Sequence, residues 1–382
     1  MPQYLSPGVY VEEVPGTPPI VGVGTSTVAF VGVVNTTAPF QMPLQPGTAT
    51  TRYTIAPVDE PRPVTNWEQF KIQFGDFQAG NSTIAHAVYG FFNNGGTRCW
   101  VVRVASLSAT NVDTVLQKFE GIDEIAIVGA PGALTATVQN KLIDHCEKMQ
   151  ERFAILDGQQ TTTITPTAIK GSTKNSKYAA LYFPWIQVSD PVTNGLIFVP
   201  PSGHLAGIYA RVDQQRGVHK APANENVRGA DGLEYLVSKA EQDGLNPSGI
   251  NVIRNFNGSI LVWGARTLGG DANGEYTHIN VRRLMNFLRE SIDESTQFVV
   301  FEPNNLALWQ KIIRTVRAFL TEVWRDGALF GATAEEAFYV KCDESLNPPQ
   351  VRLLGQVVTE IGVAIVRPAE FVIFRISQIT LK

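Results

Sequence analysis

Apolar positions recur along this chain in two rhythms. Between residues 111 and 301, short apolar runs alternate with stretches in which apolar residues return every three to four positions, the marks of strands and helices respectively. Strands are expected at 124–129, 153–157, 178–183, 196–199, 260–263 and 297–301. Helices are expected at 135–150, 204–213, 231–242 and 278–293. Their alternation predicts an α/β layer on a mainly parallel sheet. The Thr- and Gln-rich stretch 158–177 reads as a surface loop.

The flanks are more mixed. Val28–Val34 reads as a buried strand, and residues 38–63, rich in Pro and Thr, as a long loop or irregular β segment. Asn66 is placed to cap a helix running to Phe74. A helix over 82–92 ends at Asn93-Asn94-Gly95-Gly96, and Cys99–Val104 follows as a strand. Over 304–325, Trp309, Ile312, Ile313, Val316, Phe319, Leu320, Val323 and Trp324 fall in an arc of roughly 140° at helical spacing. Lys311, Arg314, Arg317 and Arg325 form a basic stripe opposite, which an ordinary solvated face would also produce. A short helix at 333–337, a strand at 338–341 and a strand region at 351–366 complete the chain body.

The two ends differ from everything between them. Pro2, Pro7, Pro15, Pro18 and Pro19 forbid a continuous helix, and between them lies the β-prone run Val9, Tyr10, Val11, Glu12, Glu13, Val14. The chain closes on Phe371, Val372, Ile373, Phe374, Arg375, Ile376, Ser377 and Gln378, apolar on both faces. As a strand, Phe371–Ile376 would span about 20 Å. Neither run has a hairpin partner beside it. A lone strand leaves backbone donors and acceptors unpaired, so each joins its own sheet or adds to a neighbour's. Composition leaves both routes open.

Composition narrows the chemistry. The chain has 382 residues, 44% hydrophobic, which suits two or three domains of about 150 residues each. Its 31 Lys and Arg against 35 Asp and Glu give a net charge of −4, with no bulk reason to expect nucleic-acid binding. No apolar run approaches the ~20 residues of a membrane-spanning helix, and no signal peptide is visible. Cys99, Cys146 and Cys342 are scattered, as in a chain kept in a reducing compartment. No cofactor motif is found: Gly22 and Gly24 begin like a dinucleotide loop, but Thr27 stands where the third Gly belongs. His86, His145, His204, His219 and His278 lack metal-ligand spacing. Asp190, Ser202 and His204 have the composition of a hydrolytic triad, yet Ser202 follows Pro200-Pro201 with no Gly-x-Ser-x-Gly elbow. No catalytic residue is assigned. The rival readings are an α/β hydrolase and a static tube or coat protein.

Several segments, in this order, resemble contractile phage tail sheath proteins, including those of R-type pyocins and extracellular injection particles. They are Leu5–Glu13, Phe91–Gly96 leading into Cys99–Val104, Gly249–Arg254, Val262–Leu268, Phe301–Asn304 and Arg367–Val372. The resemblance implies an α/β sheath domain likened to subtilisin without its active site, and a C-terminal α/β domain facing an inner tube. It divides the chain into an arm (1–20), an N-terminal region (21–105), the α/β domain (106–265), the tube-facing domain (266–369) and a C-terminal strand (370–382). It further implies that Val9–Val14 and Phe371–Gln378 exchange between subunits in a shared four-stranded sheet. Tube contact is expected through Arg325, Asp326, Glu335 and Glu336. The implied partners are copies of the chain in stacked hexameric rings, an inner tube protein, and baseplate and tail terminator proteins, with neither nucleic acid nor membrane insertion. Assembly is expected in the bacterial cytoplasm, and the mature place is a virion tail or phage-like particle.

Overall fold

A computed structural model describes residues 19–37 and 39–373. Its strands are β1 (Val28–Val33), β2 (Arg62–Val64), β3 (Cys99–Val104), β4 (Ile127–Gly129), β5 (Phe153–Asp157), β6 (Ala179–Phe183), β7 (Ile186–Asp190), β8 (Gly195–Val199), β9 (Glu225–Asn226), β10 (Gly232–Leu233), β11 (Ile250–Phe256), β12 (Ser259–Val262), β13 (Phe338–Lys341) and β14 (Glu360–Val363). Its helices are α1 (Trp67–Phe74), α2 (Ser82–Asn93), α3 (Ala109–Phe119), α4 (Ala136–Met149), α5 (Pro166–Lys170), α6 (Ser202–Arg216), α7 (Lys239–Leu245), α8 (Ile279–Ser295), α9 (Leu306–Arg325), α10 (Ala334–Ala337) and α11 (Pro349–Leu353).

Nine strands form one sheet in the order β2-β3-β1-β4-β5-β6-β11-β12-β9. The run from β3 to β11 is parallel, and β2, β12 and β9 are added antiparallel at the edges. This is the mainly parallel sheet that the alternation predicts. Both faces are covered, and side-chain alternation shows how. Val28 and Phe30 of β1 face a core shared with α1, α2 and α6. Ala29 and Val31 face a second core shared with α3, α4 and α5. A third core joins α8, α9 and β13, with Ile20 packed into it. Beside it, β13 and β14 pair antiparallel with Phe338 opposite Val363 and Lys341 opposite Glu360. The outer edges of this ribbon have no strand partner among the described residues.

Local signals placed most elements. Asn66 accepts from the Gln69 amide and caps α1 as expected, and Asn305 caps α9 through the Leu308 amide. Four expectations need correction. The helix expected over 231–242 begins only at Lys239, where Ser238 and Glu241 form a reciprocal capping box. Ahead of it Gly232–Leu233 pairs with β7, because Gly232 can lie directly against the Gln187 side chain. The strand expected at 297–301 is a single tight helical turn, Gln297–Val299; Val300 and Phe301 beyond it are exposed and pair with no strand among the described residues. Residues 351–366 give the short helix α11, a loop pinned by Asn347 to both backbone groups of Val358, and strand only at β14. The expected loop 158–177 contains α5, capped by Thr165, and its Thr173 is buried against Gln139. Helix α3 and strands β7 and β11 were not among the expected elements.

Helices α2 and α6 pack with almost no space between them. A Cβ on Gly203 would lie 2.4 Å from the Ala87 backbone, and one on Gly207 would lie 2.3 Å from the Phe91 carbonyl. The missing side chains are what allow the approach. Gly207→Ala should therefore lower stability by about 2 kcal/mol through overpacking, whereas Gly244→Ala, with open space around it, should be neutral or mildly stabilising. Thermal unfolding of the purified variants checks the contrast; equal melting temperatures would contradict it.

Candidate functional site: the roots of the two terminal arms

The expected exchange strands fall largely beyond the described residues. Val9–Val14 and Phe374–Gln378 lie outside them, so the segments to examine are those where each end leaves the body. Phe371, Val372 and Ile373 are described, and all three are well exposed, at 72%, 69% and 79%.

The N-terminal root lies along α8. The Val21 and Val23 amides donate to Ser295 Oγ and Ser291 Oγ at 3.3 and 3.1 Å. Gly22 lies so close to the Phe287 ring that a Cβ there would come within 2.8 Å of it. Deeper in, Arg283 on α8 grips Asp213 on α6 with two hydrogen bonds, of 2.9 and 2.6 Å. Thr25 closes the grip. Its hydroxyl donates to Asp213 Oδ2 at 2.6 Å, and its carbonyl accepts from Arg283 at 2.8 Å. The pair is almost fully buried, so its fork geometry and the added Thr25 bonds must compensate desolvation. Burial works against the Arg283 charge, yet Asp213 holds its pKa above the ordinary value.

The C-terminal root is built on Arg266. Both directions of its backbone are fixed by buried Asn251: the Arg266 amide donates to Asn251 Oδ1 at 2.7 Å, and Asn251 Nδ2 donates to the Arg266 carbonyl at 2.8 Å. Asn251 stands in β11, and Gly264 gives it room. The guanidinium then donates from Nε to Glu370 Oε1 at 2.8 Å and from Nη2 to Oε2 at 2.6 Å. Its third nitrogen donates to Asp271 at 2.7 Å. Asn246 Nδ2 donates to Glu370 Oε1 at 3.1 Å, and His278 Nε2 stands 3.6 Å from Oε2. Burial works to raise the Glu370 pKa, but His278, Arg266 and Asn246 together hold it well below the usual carboxylate range.

The suspected triad does not assemble. Ser202 donates to Asp157 through its hydroxyl at 2.8 Å and its amide at 2.9 Å. His204 is buried in the α2–α6 contact with its ring against Gly90, and burial lowers its pKa to about 3. Asp190 accepts from Thr193 and the Val192 amide and stands 3.7 Å from His86 Nε2, not beside His204. Asp157, pushed up to about 6 by burial despite bonds from Gly132 and Ser202, caps α6 and pins the chain at Gly132. The arrangement is that of a helix start: the hydroxyl is bonded to the capping carboxylate of Asp157, and His204 makes no hydrogen bond to it. Among the described residues no group of His, Cys, Asp and Glu has metal-binding geometry, and no helix is long and apolar enough to cross a membrane.

Arg325, Asp326, Glu335 and Glu336 are all exposed, around the end of α9 and on α10. Glu335 lies 3.4 Å from Arg317, and Glu336 accepts from the Ala332 amide at 2.8 Å. Sequence reading missed Arg266, Asn251, Glu370, Arg283 and Asp213 as site residues. One local signal was present: Asn251 is the polar residue inside the apolar run Ile250–Ile253.

Both terminal segments are held by arginine–carboxylate pairs, and among the described residues the β13–β14 ribbon has no further strand partner. Two family models match the chain. The phage tail sheath protein central domain matches residues 105–268, and the phage tail sheath C-terminal domain matches 271–379. The chain is similar to a putative prophage major tail sheath protein of Pseudomonas aeruginosa strain UCBPP-PA14, 26% identical over 255 residues, which are 65% of this chain and 63% of that one. It is similar to the tail sheath protein of Vibrio phage KVP40, 30% identical over 181 residues, 46% of this chain and 26% of that one. Each match spans less than two thirds of the relative's own length. Whole-length similarity comes from a solved structure, the PVC sheath complex of an extracellular contractile injection system in its contracted state. There the TM-score is 0.79 and identity 30%, covering 99% of both chains. The chain belongs to the contractile tail sheath family.

The Arg266–Glu370 pair has a pH signature. A carboxylate held below its ordinary value stabilises the fold fully above the unfolded value, 4.5, and loses that contribution as pH falls below it. The melting-temperature gap between the wild type and Glu370→Gln should be full at neutral pH, begin to narrow near 4.5 and shrink progressively as the pH falls further towards the lowered folded value. A gap independent of pH would contradict the assignment.

Proposed function

We propose that this chain is the structural subunit of a contractile sheath and performs no catalysis. Its whole-length likeness to a sheath subunit carries the reading. In this account subunits stack as hexameric rings around an inner tube and are held in an extended, high-energy lattice. A trigger at the baseplate lets them rotate and pack more tightly, and the shortening sleeve drives the tube through a target envelope. Energy is stored in the lattice, so no nucleotide is needed. Particles assemble in the bacterial cytoplasm and are capped by terminator proteins.

The arms keep subunits tethered while the bodies move. Val9–Val14 of one neighbour and Phe371–Gln378 of another add to the β13–β14 ribbon and complete a four-stranded sheet. Supporting this is the ribbon itself: among the described residues its outer edges have no strand partner, and an unpaired edge is a template for an added strand. The exposed start Phe371–Ile373 gives the added strand apolar side chains to bury.

Tube contact is proposed at Arg325, Asp326, Glu335 and Glu336. The Glu335–Arg317 pair is exposed on both sides, and such pairs contribute little to folding. Glu335→Lys with Glu336→Lys should thus leave the subunit folded but weaken sheath assembly on tubes, more so at low salt. Unchanged assembly across a salt series would count against that surface. Deleting residues 1–16 should leave a folded protein that forms no contractile sleeves on electron micrographs. Normal sleeves from that variant would overturn the proposed tethering.

A further inference from the structure

We propose that Arg266 and Glu370 form the anchor that aims the C-terminal strand, so that its direction is set by the α/β body and not by the smaller core it has just left. This inference rests on the sheath reading, and it adds a pair of positioning residues to it.

The path of the chain carries the argument. Residues 328–366 belong to the smaller core: the Val366 amide donates to the Ala328 carbonyl, and Asn280 donates to the Val366 carbonyl at 3.0 Å. Four residues later Glu370 is held by Arg266, after β12, and Asn246, after α7, both beside the edge of the large sheet, with His278 at the start of α8 3.6 Å away. The next three residues are exposed. Among the described residues Glu370 is thus the last to make a side-chain hydrogen bond, and its bidentate partner stands beside the large sheet.

Arg266 is prepared for this. Asn251 fixes its backbone, and Asp271 and the Asn246 carbonyl hold its Nη1 at 2.7 and 3.3 Å. Those contacts do not involve Glu370, so the fork is in place whether or not the carboxylate is bound. A planar fork meeting a carboxylate through two bonds fixes angle as well as distance, which a single hydrogen bond or an ammonium does not.

Angle matters because the strand is a lever. Residues 371–378 extended would reach about 26 Å. Rotating the root by about 20° would carry the tip roughly 9 Å, nearly two spacings between neighbouring strands. An arm that misses by that much pairs out of register or with nothing.

The test uses the full chain carrying Glu370→Gln, Arg266→Lys or Val138→Ala, alongside a truncation lacking residues 371–382. Melting temperature, sedimentation and negative-stain micrographs are recorded for each. Val138 is buried beneath the large sheet, far in sequence from both arms, and serves as a destabilised control. Glu370→Gln and Arg266→Lys should remain folded but lose sheath yield by about tenfold or more, the fold-change that one charge-assisted pair corresponds to. Val138→Ala should assemble normally at an equal or lower melting temperature. If both anchor variants assemble as wild type while the truncation does not, the anchor is wrong and strand exchange stands. Should the truncation assemble as wild type, strand exchange itself fails. Unfolding of both anchor variants would also overturn the proposal, since the pair would then hold the body and not the arm.

Discussion

Arg266 stands where three parts of the chain must agree. Its backbone is fixed by Asn251 from inside the large sheet, and its guanidinium joins the loop after β12 to the residue at which the C-terminal end departs. At the other end Arg283 does comparable work, joining α6 and α8 to the incoming N-terminal segment through Asp213 and Thr25. Both ends therefore leave from arginine–carboxylate forks. In the proposed sheath, where the ends join neighbouring subunits, the strength needed is at the root of each arm. A bidentate, partly desolvated ion pair resists reorientation better than apolar packing, which is non-directional.

Legibility followed the range of the physics. Strands with an apolar run on both faces, such as Val28–Val33 and Phe153–Asp157, could be read because burial inside a parallel sheet demands that composition. Caps could be read because Asn66 acts only three residues away. The strand expected at 297–301 failed for the converse reason: its β-prone residues meet no strand among the described residues, and pairing is a property of two segments. The large sheet was foreseeable as a class, but β11 was not among the expected strands, although it bridges the parallel and antiparallel parts.

The candidate site was less visible. Arg266 and Glu370 both lie in stretches that carried the family resemblance, yet they are 104 residues apart, and nothing local says that they meet. Asp190, Ser202 and His204 have the composition of a triad but lack its nucleophile elbow, and the fold shows why they are there. Their spacing was suggestive, but Ser202 and Gly203 are small because α6 begins against Asp157 and closes on α2. Residue types that serve catalysis in one fold serve close packing here.

The central claim is that the chain's ends complete a neighbour's sheet from roots fixed in its own body. A cryo-EM reconstruction of assembled sleeves tests it directly. The account predicts Phe371–Gln378 of one subunit hydrogen-bonded along the β13–β14 ribbon of another, with Arg266 and Glu370 still paired inside the donor. A reconstruction in which both ends fold back onto their own subunit, leaving the ribbon edges open, would contradict it.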